Sequence, residues 1–318
     1  MGIVNTQQNL NLSFGPKKIK KGSTAIISQS GAIASALLDF AQEKNLGISK
    51  FVSLGNKALM AEDDFLKEVL EDKETKAVIL YLEDIKKAQS LGDILQKNQN
   101  KKPVVIMLAG LTPTGQKITS SHTAALAQDP ALKISFLAQK GAIIVEKLDL
   151  LFSFFEKIEK ARAKRLGSRV FIVTNAGGPS AILADEIAKS KNLVLAPMVE
   201  NPIDLLGTAQ AEDYQKAILK AVKSKLVDVI FAIITPQVMT RPRQIAQTLI
   251  KLSSKKPIVG FFLGGKKTKS AVRMLEGAGE MVFSNLSEGA KLIDCLMDFY
   301  KKKEPQIGLK ISRKQRKK

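Results

Sequence analysis

The one histidine of the 318-residue sequence, His122, lies in Ser120-Ser121-His122-Thr123-Ala124-Ala125-Leu126. Imidazole has an unperturbed pKa of about 6.5, so it can act as a neutral nucleophile near pH 7. Two other stretches carry the means to hold an anion. Ser28-Gln29-Ser30-Gly31-Ala32 ends an apolar strand pattern and opens a helix pattern, and Asn175-Ala176-Gly177-Gly178-Pro179-Ser180 does the same later. The first N–H groups of a helix have no partner within it, they sit at the positive end of the dipole, and glycine lets an anion approach the backbone. Ser30, Gly31, Ala32, Asn175, Gly177 and Gly178 are therefore the candidate phosphate-binding residues. Glu83, closing Tyr81-Leu82-Glu83, could accept the N–H of one imidazole nitrogen and leave the other nucleophilic. His122 and Glu83 are thus the catalytic candidates. Each feature also has a plainer reading: a surface-loop histidine, a serine N-cap, a turn needing glycine dihedrals, a solvated strand end. No residue pattern suggests a metal site.

The elements that must position these residues come in two similar sets. Thr24–Ala32 is echoed by Val170–Gly178, Lys102–Gly110 by Lys256–Gly264, and Ala142–Val145 by Glu280–Phe283. Between these markers, short apolar β-branched runs (50–54, 77–82, 193–196, 227–235) alternate with helix patterns such as 32–44 and 179–190. Strands that are apolar throughout belong to parallel sheets covered by helices on both faces. The fold class is α/β, with two tandem flavodoxin-like, doubly wound parallel sheets of strand order 2-1-3-4-5. In that order strands one and three are neighbours, which brings the Ser30 turn and Glu83 to one rim. Gly141 comes 31 positions after Gly110, whereas Gly279 comes 15 positions after Gly264. The first unit thus carries sixteen extra residues, read as a loop that holds His122. The division expected is 1–20 as linker, 21–159 as the first unit, 160–168 as a charged linker, 169–301 as the second unit, and 302–318 as a disordered basic tail.

Composition narrows the functional classes. A net charge of +20, mostly from lysine, makes anionic partners plausible. The lysines are scattered along amphipathic segments, without the aromatic interleaving or modules of a nucleic-acid binder, so nucleic acid is not expected as a partner. No apolar run reaches the roughly 18–20 residues that span a bilayer, no signal peptide is seen, and no membrane partner is expected. Met1–Thr6 fits the permissive N-myristoylation pattern, read as coincidence. The single cysteine, Cys295, is expected to be a buried thiol, in keeping with a cytoplasmic protein.

Six motifs in order carry a resemblance: Ser28–Ala32, Phe51–Ala58, Leu80–Glu83, Ser120–Thr123, Thr174–Pro179 and Asn201–Gly207. From about residue 2 to about 300 the sequence resembles the ADP-forming acyl-CoA (acetate–CoA) synthetases, relatives of succinyl-CoA synthetase. The resemblance implies interconversion of acyl-CoA, phosphate and ADP with acid, CoA and ATP. In it an acyl phosphate hands its phosphoryl group to His122, which passes it to ADP, with Glu83 as the histidine's carboxylate partner. CoA, ATP/ADP and Mg2+ would be substrates of the assembled enzyme, none bound tightly by this chain alone. The implied partners are an ATP-grasp subunit or domain and a CoA-binding Rossmann domain, in a hetero-oligomer, with 1–20 following the latter. Ala124 and Gln128 stand where the family's histidine loop has glycine, Leu108 and Leu111 where Lys and Arg are common, and Leu59-Met60-Ala61 replaces an acidic stretch. The alternative is a non-catalytic regulatory or scaffold paralogue that binds a phosphate-bearing ligand.

Overall fold

The structure is a computed structural model that describes residues 1–57, 60–99, 101–123, 129–160 and 166–301, with backbone alone at 120–123, 159–160 and 298–301. The first unit runs β1 (Gly2–Asn5), β2 (Leu10–Ser13), β3 (Lys21–Ser28), α1 (Gly31–Glu43), β4 (Ile48–Ser53), α2 (Glu62–Glu71), β5 (Ala77–Leu82), α3 (Ala88–Asn98), β6 (Val104–Leu108), α4 (Pro113–Thr123), α5 (Pro130–Gln139), β7 (Ile143–Val145) and α6 (Leu148–Lys160). The second runs β8 (Arg169–Thr174), α7 (Gly177–Lys189), β9 (Val194–Leu195), β10 (Ile203–Asp204), α8 (Ala211–Lys223), β11 (Val229–Ile234), α9 (Pro242–Ser253), β12 (Ile258–Phe262), α10 (Lys269–Gly277), β13 (Val282–Phe283) and α11 (Leu286–Lys301).

The first sheet has the order β2-β1-β4-β3-β5-β6-β7, so its parallel part, β4-β3-β5-β6-β7, is the expected 2-1-3-4-5. The segment read as a linker is strand instead. β1 pairs antiparallel with β4, and β2 with β1, widening the sheet by a hairpin. The sequence concealed this because the outer strand buries little: Leu10 and Leu12 are exposed.

The second sheet, β10-β8-β11-β12-β13, repeats the order with its second strand in two pieces. β9 pairs with the start of β8 and β10 with its end. Between them the Asn201 side chain replaces the ladder. Its Oδ1 accepts Ile172 N–H at 2.9 Å, and its Nδ2 donates to Val170 O at 2.9 Å and Ala196 O at 3.0 Å. The next residue, Pro202, has no N–H to offer.

Central strands are buried on both faces, as helix-covered parallel strands must be: Ala25, Ile26 and Ile27, and all of Val229–Ile234, are fully buried. One core lies between the first sheet and the α2, α3, α5 side, another between the second sheet and α8, α9, α10. The third is shared. Leu37, Phe154 and Phe155 of the first unit join Leu183, Phe231, Phe261 and Ile293 of the second in a single cluster. Lys157 on α6 also reaches Glu276 on α10 at 3.2 Å. The 161–165 part of the expected linker and the 302–318 tail lie outside the described residues. Cys295, expected buried, is half-buried on α11 at the edge of the shared core.

Candidate functional site

At the carboxyl edge of the first sheet the chain leaves β3 through Ser28, whose hydroxyl donates to the Ser30 carbonyl at 2.8 Å. Ser30 is the N-cap of α1, and its Oγ accepts Ile33 N–H at 3.3 Å. That leaves the N–H groups of Gly31 and Ala32, both exposed residues, at the open positive end of a thirteen-residue helix. A Cβ on Gly31 would meet only Met1 Cγ, at 3.5 Å.

Glu83 follows β5 directly beside this turn. The buried Gln29 joins the two: its N–H donates to Tyr81 O at 2.9 Å, and its Oε1 accepts Glu83 N–H at 2.9 Å and Asp84 N–H at 3.2 Å. Gln29 Nε2 in turn donates to Asp84 Oδ1. Glu83 is half-buried, and burial together with its charge pushes the Tyr81 hydroxyl above the usual tyrosine range.

Behind Glu83 lies a charged cluster that the sequence reading missed. The fully buried Lys57 ammonium donates to Glu62 Oε2 at 2.9 Å, to Asp84 O at 2.8 Å and to Asp84 Oδ1. Glu62 Oε1 accepts Lys86 N–H at 2.8 Å. From α5, Lys133 faces the same group: burial lowers its ammonium from the usual lysine range, while Asp84 raises it and Lys57 lowers it further. The one sequence signal was position, since Lys57 stands in the turn Gly55-Asn56-Lys57 after β4. Nothing local marks Glu62 or Asp84 as buried.

β6 leaves the sheet next to β5, with Ala109 N–H donating to Leu82 O at 2.9 Å. Gly110 then turns with φ +72°, where a Cβ would stand 2.7 Å from Thr119 Oγ1, so α4 folds back onto the same edge. The sixteen extra residues are therefore not an irregular loop. They supply α4, with His122 in its last turn, while α5 takes the place of α10. The His122 side chain, together with Ala124 and Gln128, lies outside the described residues.

The second unit repeats the turn in detail. Thr174 Oγ1 donates to Ala176 O at 3.0 Å as Ser28 does to Ser30, and Leu205 N–H meets Thr174 O as Leu54 N–H meets Ser28 O, both at 2.8 Å. Gly177 and Gly178 open α7 and are exposed. Asn175 occupies the place of Gln29. Its Oδ1 accepts Thr235 N–H at 2.9 Å, and its Nδ2 donates to Thr235 O at 2.9 Å and Thr240 Oγ1 at 3.1 Å. That amide is committed to the loop after β11, which leaves the backbone of Gly177 and Gly178 as the open donors. The Asp204 carboxylate already stands there, with Oδ2 3.1 Å from where a Gly177 Cβ would lie.

These features define a class: a doubly wound sheet with an anion-receptive helix start, a rim carboxylate and a histidine-bearing extra helix. Residues 21–157 match the succinyl-CoA ligase like flavodoxin domain. Over 302 residues the chain is 32% identical to the acetate–CoA ligase (ADP-forming) II subunit alpha of Pyrococcus furiosus, covering 88% of this chain and 65% of that one. It is 34% identical to the acetate–CoA ligase (ADP-forming) of Methanocaldococcus jannaschii, over 94% of this chain and 45% of the relative. Among solved structures, the dinucleotide forming acetyl-coenzyme A synthetase 1 of Ca. Korarchaeum cryptofilum, in complex with phosphate and ADP, superposes with a TM-score of 0.85 at 26% identity. That match covers 95% of this chain and 69% of the other. The chain is thus similar to ADP-forming acetate–CoA ligases and their subunits, and spans about half to two thirds of the length of these relatives. No helix among the described residues is long and apolar enough to cross a membrane.

Proposed function

We propose that this chain is a subunit or fragment of an ADP-forming acyl-CoA ligase of the acetate–CoA type, and that it relays phosphate through His122. In the direction that makes ATP, phosphate attacks the thioester of acyl-CoA, releasing the CoA thiol and leaving an acyl phosphate. An imidazole nitrogen of His122 then attacks phosphorus. The N–P bond forms, the P–O bond to the acyl group breaks, and the acid departs as carboxylate with the bonding pair. A terminal oxygen of ADP next attacks the same phosphorus, and the imidazole regains its lone pair as ATP forms. Glu83 accepts the other imidazole N–H, favouring the tautomer with a free lone pair. The first N–H groups of α1 and α7 receive the phosphoryl oxygens.

The observation that carries this reading is the Gln29 bridge, which makes the Ser30–Gly31 helix start and Glu83 one rigid edge, to which α4 returns. ATP, ADP, CoA and Mg2+ enter as substrates of an assembled cytoplasmic hetero-oligomer, with an ATP-grasp partner for the nucleotide and a CoA-binding Rossmann domain for the thioester. Labelled ATP with Mg2+ and the ATP-grasp partner should give an acid-labile, base-stable phosphoryl label. Equal labelling of His122→Asn would refute the relay. By calorimetry the chain alone should bind phosphate, and ADP and CoA only weakly.

A further inference from the structure

We propose that Lys57 is a positioning residue for phosphoryl transfer: by holding Asp84, which Gln29 ties to the start of α1, its buried ammonium fixes the Glu83 carboxylate in place. The inference rests on the reading of His122 as phosphoryl carrier. Burying an ammonium costs several kcal/mol unless its donors are matched. Here all three are: Glu62 Oε2, Asp84 O and Asp84 Oδ1 accept them. Two of the three belong to the residue next to Glu83. The Lys57 backbone lies at φ +53°, a left-handed conformation that is costly for a non-glycine residue. The turn accepts that cost where it sends the side chain inward. Glu62 and Gln29 complete the hold. Glu62 takes Lys86 N–H at one end of the 83–86 turn, and Gln29 takes Glu83 and Asp84 N–H at the other. None of these bonds uses the Glu83 carboxylate, which the arrangement leaves for another partner.

The second unit is an internal control. The strand register that sets Ser28 opposite Tyr81 sets Thr174 opposite Ile233, so Glu83 and Asp84 correspond to Thr235 and Pro236. The matching Leu54 and Leu205 bonds make Thr208 the counterpart of Lys57. There the strand exit is pinned by neutral side chains: Asn175 to Thr235 and Thr240, the Tyr214 hydroxyl to Ile233 O, and Gln237 Nε2 to Asn175 O. Closing this edge of the fold therefore requires no buried charge. The ionic cluster occurs in the unit that also has the rim carboxylate and the histidine helix.

The test uses the full chain with radiolabelled acetyl phosphate in single turnover. Lys57→Met alone strands two carboxylates, so the informative variant is Lys57→Met/Glu62→Gln, which keeps the cluster's net charge but loses the grip on Asp84. We expect His122-dependent labelling to slow at least tenfold at saturating acetyl phosphate, with the half-saturating concentration unchanged within twofold. Asp84→Leu, which leaves Lys57 balanced by Glu62, should slow it similarly. A folded double variant that labels at the wild-type rate overturns the proposal, as does a loss confined to half-saturation. If neither variant folds, the cluster is a folding requirement and the positioning role is refuted. Absence of His122-dependent label in the wild type instead overturns the phosphoryl-carrier reading, and this inference with it.

Discussion

Glycines at two kinds of position in this chain should respond in opposite ways to one methyl group. Gly110 and Gly264 have φ of +72° and +101°, and an added Cβ would stand 2.7 Å from Thr119 Oγ1 and 3.0 Å from Pro236 Cγ. Gly31 and Gly178 have ordinary helical backbone, and an added Cβ would meet Met1 Cγ at 3.5 Å in the first case and nothing within 4 Å in the second. Neither conformation nor packing requires glycine there, and a helical glycine is less stable than alanine by up to about 1 kcal/mol. Gly31→Ala and Gly178→Ala should therefore leave the melting temperature unchanged or raise it, by up to about 2–4 °C in a chain of this size. What the methyl group should harm is the approach of an anion to the first N–H groups of α1 and α7. A hydrogen bond to a charged group contributes about 1.5–3 kcal/mol, so losing one corresponds to a ten- to hundredfold drop in phosphorylation. Gly110→Ala and Gly264→Ala serve as controls, each expected to lower stability by about 1–2 kcal/mol. The assay is phosphohistidine formation beside a thermal melt. Wild-type labelling in both Gly31→Ala and Gly178→Ala would show that these glycines do not admit phosphate. A loss in Gly31→Ala alone would reduce the second turn to packing.

Other predictions concern the second unit. Asn201→Ala removes the bonds to Ile172 N–H, Val170 O and Ala196 O, and should cost about 2–4 kcal/mol in urea unfolding with no change in slope. The Arg169 guanidinium, donating to the Asp228 carboxylate from Nε at 3.0 Å and from Nη2 at 2.7 Å, holds that carboxyl below the usual range. A depressed folded pKa gives stability that is complete above the ordinary carboxylate value and lost as pH falls through the folded one. Acid unfolding between pH 5 and pH 2, monitored by circular dichroism, should thus be less steep in Asp228→Asn, which is also expected to lose about 1–2 kcal/mol at neutral pH. Asp204→Asn keeps the Leu206 N–H bond at Oδ1 but removes a negative charge from the start of α7. Phosphate affinity measured by calorimetry should rise about fivefold, since a like charge at this distance and exposure costs roughly 1 kcal/mol.

What the sequence disclosed depended on how local each cause was. Strand order 2-1-3-4-5 was legible because helix-covered strands show as unbroken apolar runs, and the duplication because Gly110, Gly141, Gly264 and Gly279 all mark positive φ. The helix starts were legible through Ser30 and the Gly177-Gly178 pair. The N-terminal hairpin was not, since its outer residues alternate without burial. The split strand was hidden because the Asn201 side chain, not the backbone, bridges its two pieces. Nothing in the segments around Lys57, Glu62 and Asp84 marks them as buried. Only the crossing of the turn after β4 with the turn after β5 brings them together out of water, and no spacing within either segment records that crossing.

The duplication explains why chemistry should concentrate in one unit although both have the same frame. Each copy has a strand-end hydroxyl on the N-cap carbonyl, a buried amide pinning the next strand's exit, and glycine at the helix start. Those shared parts can orient backbone donors but cannot accept a proton or form a bond to phosphorus. The first copy adds a carboxylate where the second has Thr235, a buried ion cluster where the second has Thr208 and Pro236 in place of Lys57 and Asp84, and α4 where the second runs directly into α10. The second copy instead carries Asp204 beside its helix start, which repels free phosphate there. On the relay proposed above, the groups for making and breaking the N–P bond therefore all lie in the first copy, and the second contributes backbone donors beside Asp204.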